Sequence, residues 1–226
     1  MDQLPTRSSD NLIWIDLEFT NLDPASAYIM QAAMIVTTAD LVPIPPPGVP
    51  LEVGGLLFDV HLDAAMAATA SEWVKENQAE QLKRSQSSDA VPIAQVEQLF
   101  LGYLLATCEV PDDKRTRPLL CGNSVHGDLR FIARHMPQLE QLISFRLLDV
   151  TSFKEITRRW VPQWEFKKTD ATIKQWYPAP IGLEGAAHDA LYDIKGSIAE
   201  LNFYRHHLFV EQARRAPTTP SQPPAG

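Results

Sequence analysis

A chain of 226 residues, 45% hydrophobic and 21% charged, is long enough for one well-cored domain and a tight fit for two. Its formal net charge of −8 argues against a protein that grips long nucleic acid, because such a protein needs a basic face to displace counterions from many phosphates; a ligand with one or two phosphates needs none. The longest apolar runs fall far short of the ~20 residues that cross a bilayer, no basic-then-apolar signal opens the chain, and Cys108 and Cys121 lack neighbouring metal-type partners, so two buried small hydrophobes are expected rather than a disulfide framework or zinc cluster.

Residues 1–10 are polar and residues 211–226 become rich in Pro, Ser and Thr, so both are expected to be flexible tails around one domain spanning 11–210. Within it, Leu12 to Phe19 reads as a buried strand, Ile29 to Thr37 as a second and Leu57 to Leu62 as a third. Between the last two, Val42 to Gly55 carries Pro45-Pro46-Pro47-Gly48. Proline has no amide donor for a ladder, so this segment is a loop. Val96, Leu99, Phe100, Tyr103 and Leu104 recur at helical spacing, and a short apolar strand follows at Leu119 to Cys121. A helix from Asp128, a strand over Arg146 to Val150 and a helix over Thr151 to Trp160 come next. Leu191, Ile194, Ile198 and Leu201 form the apolar stripe of a long final helix. Three strands followed by alternating helices and strands predict an α/β fold with a mixed sheet covered on both faces.

Three acidic elements stand out. Asp16-Leu17-Glu18 closes the first strand, and residues two apart on a strand project from one face. Two anions side by side at the mouth of an apolar strand are unfavourable unless neutralised, and a hard divalent cation with oxygen ligands is the common remedy; a strand simply running into solvent is the alternative. Cys121 to Asp128 is a strand entering a glycine-punctuated turn and a helix, where Asp128 could equally serve as a helix cap. Gly182 to Asp193 is a small-residue loop that delivers His188 to the first turn of the last helix, with Asp193 more than one turn further along.

In chain order these give D-x-E, N-x4-D and H-x4-D, a conjunction that resembles the DEDDh exonuclease superfamily. The stretch Leu12-Ile13-Trp14-Ile15-Asp16-Leu17-Glu18-Phe19-Thr20-Asn21-Leu22-Asp23-Pro24 is similar to the opening signature of the oligoribonucleases. Leu120 to Ser124, Arg130-Phe131, His135 to Leu139, Leu148 to Thr151 and Arg158 to Trp160 extend the likeness from about Asn11 to His207. The resemblance implies a ribonuclease H-like five-stranded sheet and a 3′-to-5′ exoribonuclease that hydrolyses dinucleotides and other short RNA to 5′-mononucleotides. It further implies two divalent cations, Mg2+ or Mn2+, held by Asp16, Glu18, Asp128 and Asp193, with His188 as general base. By the same resemblance Leu22 and Trp73 hold the bases and Ser124 touches phosphate. Phe145 and Arg146 reach the site from a partner subunit, which implies a homodimer. Trp73 could instead be packed in the core, as large aromatics usually are.

The chain departs from that pattern at several positions. Asn21 replaces a glycine, Gln31 a glutamate on the second strand, Gly127 a glutamine, Phe145 a tyrosine and Tyr192 an aspartate. The loop Val42 to Gly55 and the segment Glu165 to Leu183 are longer than expected. A DEDDh exonuclease acting on longer RNA or DNA, or a catalytically silent nucleotide-binding homologue, are the competing readings. A cytoplasmic protein is expected, with an organelle matrix also compatible.

Overall fold

The computed structural model describes residues 7–183 and 189–210. The first strand, β1 (Leu12–Phe19), is apolar over its first four residues and stands in the middle of the sheet. β2 (Ile29–Thr37) is buried at every position, as a strand covered on both faces must be. β3 (Leu56–Asp59) lies at the edge. Short helices α1 (Ala64–Ala67), α2 (Glu72–Asn77) and α3 (Ala79–Ser85) lead to the long α4 (Ile93–Thr107). The second half alternates: β4 (Leu120–Gly122), α5 (His126–His135), α6 (Pro137–Leu142), β5 (Leu147–Asp149), α7 (Val150–Trp160), α8 (Asp170–Trp176) and α9 (Ala190–Tyr204), which runs into a π-helical turn over Arg205–Val210.

The strand order is β3-β2-β1-β4-β5, with β2 antiparallel to both β1 and β3, and β1, β4 and β5 mutually parallel. This is the mixed five-stranded α/β sheet expected from the sequence. Alternate residues of β1 feed opposite layers: Ile13, Ile15 and Leu17 pack with Phe100 and Leu104 of α4 and Phe131 and Ile132 of α5. Trp14 packs with Cys121 and with Ile194 and Ile198 of α9. The indole of Trp14 donates to Thr37 Oγ1 at 3.0 Å, so the largest buried ring leaves no unpaired donor. Asp16 stands opposite Ala33 and Glu18 opposite Gln31, and the pairing slips between Glu18 and Phe19.

Some boundaries differ from the sequence reading. The third strand is shorter than expected, Leu56–Asp59; the Val60 amide still donates to the Met30 carbonyl at 2.8 Å, but Val60 also bridges to Val91 and the Leu62 amide donates to the Ser85 carbonyl, so the chain leaves the β2 ladder after Val60. The middle helix starts at His126, two residues before Asp128, with Val125 at its N-cap. Helices α1, α2, α3, α6 and α8 were not expected. They are short, and a period of 3.6 cannot declare itself over so few residues. Cys108 and Cys121 are buried free thiols, each with its pKa pushed up by burial. Among the described residues no helix is long and apolar enough to cross a membrane. Of the proposed tails, residues 1–6 and 211–226 lie outside the described residues; Arg7 donates to the carbonyl of Cys108 at 3.1 and 3.0 Å.

Candidate active site

Strand β1 outruns its parallel neighbour. It meets β4 only at Ile13 and Trp14, and the carboxylates lie beyond that contact, where the sheet opens. The Leu17 amide, left without a strand partner on this side, donates to Asp128 Oδ1 at 3.1 Å. Asp128 is therefore not the residue that caps α5; from the first turn of that helix it reaches across to β1. Asp193, in the first turn of α9, approaches from the other side. Asp16, Glu18 and Asp193 each offer a carboxylate oxygen, and these three atoms lie within 4.8 Å of one another.

The electrostatics of the cluster are those of anions crowded together out of water. Burial, then the charges of Asp128, Asp193 and Glu18, hold the Asp16 carboxyl well above its usual range, with Lys168 opposing. Burial raises Glu18 to about 7 despite a hydrogen bond from Gln78 Nε2, with Asp193 and Asp189 adding to the rise. Burial likewise raises Asp128 to about 7, against the hydrogen bonds from its own amide and that of Leu17. A donor set made only of oxygen, negatively charged and held close, fits a hard divalent cation such as Mg2+ or Mn2+ better than zinc, which favours nitrogen and sulfur.

Behind Glu18, the buried Gln31 ties the start of α9 to the sheet. Its carbonyl oxygen accepts from the Ala190 amide at 3.0 Å and from Gln81 Nε2 at 3.3 Å, and its own amide donates to Asp59 at 3.1 Å. A neutral amide at this position can thus donate to one neighbour and accept from two. Gln31→Ala strands these buried groups and is expected to cost about 1–3 kcal/mol of stability, read as a lower midpoint in urea denaturation; an unchanged midpoint would deny the amide that role.

The remaining sequence-predicted positions fall into two groups. Leu22 and Trp73 line one recess of about 410 Å3 together with Glu18, Phe19 and Gln78, beside the carboxylates. Trp73 is half exposed and Leu22 is 87% exposed, so core packing does not account for either. Ser124, exposed at the turn after β4, holds a left-handed backbone (φ 53°), pinned by its amide donating to Asp149 Oδ1 and Thr151 Oγ1, both at 2.9 Å. Phe145 and Arg146 are exposed on the turn entering β5, the guanidinium 5.6 Å from the Phe145 ring centroid. Leu147 is level with Leu120 and hence with Ile13. Phe145 and Arg146 therefore sit at the end of the sheet where β1 begins, not where its carboxylates lie, and the fold does not bring them to this chain's own cluster. His188 lies outside the described residues.

Gln78 and Lys168 contact Glu18 and Asp193, and sequence reasoning singled out neither. Gln78 sits between two helices too short to be read from periodicity. Lys168 belongs to the segment noted only for its length, just ahead of His188.

The exonuclease family profile matches residues 13–201. The oligoribonuclease of Pseudomonas syringae pv. tomato is 35% identical over 203 residues, covering 89% of this chain and 98% of its own. That of Pseudomonas aeruginosa PAO1 is 36% identical over 205 residues, again covering 89% and 98%. Among solved structures, S. pombe Pop2p with Mg2+ and Mn2+ bound superposes with a TM-score of 0.58 at 12% identity, covering 88% of this chain and 84% of that one. The zinc-bound E. coli ExoI–ssDNA complex also scores 0.58, at 14% identity, covering 92% and 43%. Identities this low report the shared fold.

Proposed function

Since the chain belongs to the exonuclease family, and within it to the oligoribonucleases, we propose that it hydrolyses very short RNA from the 3′ end, releasing 5′-mononucleotides with the help of two divalent cations. The observation that carries this reading is the convergence of Asp16, Glu18 and Asp193 within 4.8 Å, from β1 and α9, with Asp128 joining them through the Leu17 amide. Asp16, Glu18 and Asp193 would hold one ion; Asp16 would bridge to a second, positioned by Asp128. When bound, the pair supplies activation of the attacking water and stabilisation of the leaving 3′-oxygen.

The chain's own residues do the rest. His188 takes the proton of the attacking water, a task suited to an imidazole that is mostly neutral near pH 7. Two features support its place in this scheme. Asp189, the next residue, acts by its charge on Glu18, and the Ala190 amide is bonded to Gln31, which faces Glu18 across the strand pair. Leu22 and Trp73 hold the bases in the recess beside Glu18, and Ser124 meets phosphate. Phe145 and Arg146 act on a second copy's substrate, since they lie at the wrong end of their own sheet to reach their own; the active form is a homodimer. Phe145 lacks a phenol, and a Cβ at Gly127 would meet nothing within 4 Å, so the far phosphate is gripped by fewer groups than in the family pattern.

The chain-length series tests this. With Mg2+ or Mn2+, dinucleotides are expected to be degraded faster than a 20-mer, and sedimentation is expected to give a dimer. The opposite ranking would favour an exonuclease of longer RNA or DNA, and a monomer would refute the shared site. Trp73→Ala is expected to raise KM for dinucleotides tenfold or so, the loss of one stacking partner at ~1–3 kcal/mol, with kcat less affected. A KM equal to that of the unsubstituted protein would remove Trp73 from the base-binding surface.

A further inference from the structure

The acidic cluster already contains one cation. Lys168, on the segment between α7 and α8, sends its ammonium to Asp193 Oδ1. Its stem crosses α9 at Gly196, where a Cβ would collide with Lys168 Cε, so the glycine is a slot cut in the helix face for this side chain. The ammonium also stands 5.9 Å from the Tyr192 ring centroid, and the Tyr192 hydroxyl donates to Asp170 Oδ1 at 2.5 Å, which ties the ring to the start of α8. A lysine held this way, only a third exposed and facing carboxylates on β1 and α9, is placed by the fold rather than left to wander over the surface.

We propose that Lys168 is a tethered counter-cation of the metal centre: threaded past Gly196 onto Asp193, it balances part of the cluster's charge before metal arrives and is displaced when a divalent ion takes the same carboxylate. The inference rests on the reading of Asp16, Glu18 and Asp193 as metal ligands. An ammonium and a divalent ion held on one carboxylate at close range repel each other, so the two compete for Asp193. The lysine therefore sets the affinity of the centre without being one of its ligands. Its electrostatic pull on Asp16 and Glu18 agrees with this position.

The test is Mn2+ binding to the full chain without substrate, followed by the loss of the free-ion signal in electron paramagnetic resonance. Two variants remove the competitor differently. Lys168→Met deletes the charge and keeps the stem, whereas Gly196→Ala keeps the charge and fills the slot, in a helix that alanine favours. Each is expected to bind Mn2+ about tenfold more tightly than the unsubstituted protein, the effect of one partly screened charge. In addition, Lys168→Met is expected to lower the melting temperature of the metal-free protein and to lose that deficit at saturating Mn2+, a reversal that a merely structural lysine would not show. Equal or weaker Mn2+ binding in either folded variant overturns the inference while leaving the metal centre intact. Absence of Mn2+ binding by the unsubstituted protein overturns the metal centre and this inference with it.

Discussion

Asp128→Asn is expected to lower kcat on a dinucleotide by roughly 10³-fold or more while leaving the fold at least as stable at pH 8. The two halves of this result follow from the two jobs of the side chain. Its structural job is to accept the Leu17 amide at 3.1 Å, and an asparagine carbonyl oxygen can still accept it. Its chemical job needs the negative charge, which asparagine lacks. That charge is costly to the metal-free fold, because Asp128 is buried and it raises the Asp16 carboxyl through repulsion. Turnover of the dinucleotide in Mg2+ and the denaturant midpoint, measured on the same preparation, separate the two. Activity within a few-fold of the unsubstituted protein would exclude Asp128 from the cation centre.

The metal-free protein is expected to lose a few kcal/mol of stability as pH rises from about 4 to about 7, and to recover it when Mn2+ is added. Glu18 and Asp128 start from ordinary values of 4.5 and 3.8 and are raised to about 7 in the fold. Between those limits the folded chain holds protons that the unfolded chain has released, so stability falls with pH, the opposite slope to that of a carboxylate paired with a base. The contribution is fully present below the unfolded values, is lost through about 7, and is flat above. A divalent ion replaces the protons as the neutralising charge and should level the slope. Denaturation midpoints measured from pH 4 to 8 with and without Mn2+ provide the check; a metal-free stability that rises across this window would contradict the crowding of charge inferred for the cluster.

The site was legible in the sequence where local geometry alone decides it. Asp16 and Glu18 share a face because a strand repeats every two residues, and the apolar run from Leu12 to Ile15 marks where β1 begins. Asp193 could be placed because the stripe through Ile194 and Ile198 fixes which side of α9 faces the sheet. Asp128 was ambiguous for the same reason: a carboxylate in a first turn can serve its own helix or another element, and only the tertiary fold shows that it bonds Leu17. Gln78 and Lys168 were invisible. Each meets the cluster through a segment whose path depends on packing, and neither residue type announces such a role. Gln31 was noticed as a departure, but its bond to Ala190 joins positions 159 apart in the chain, a contact that periodicity does not encode.

The register of β1 also decides where this protein can change length. One residue inserted between Leu12 and Ile13 would turn Trp14 and the two carboxylates toward the opposite layer, and the irregular step after Glu18 comes too late to rescue them. A frame that strict admits substitutions yet no insertions, whereas the turn at 47–53, exposed at most of its positions and outside the ladder, has room to lengthen. Divergence among such chains should therefore accumulate as added loop around a strand whose residue count does not vary.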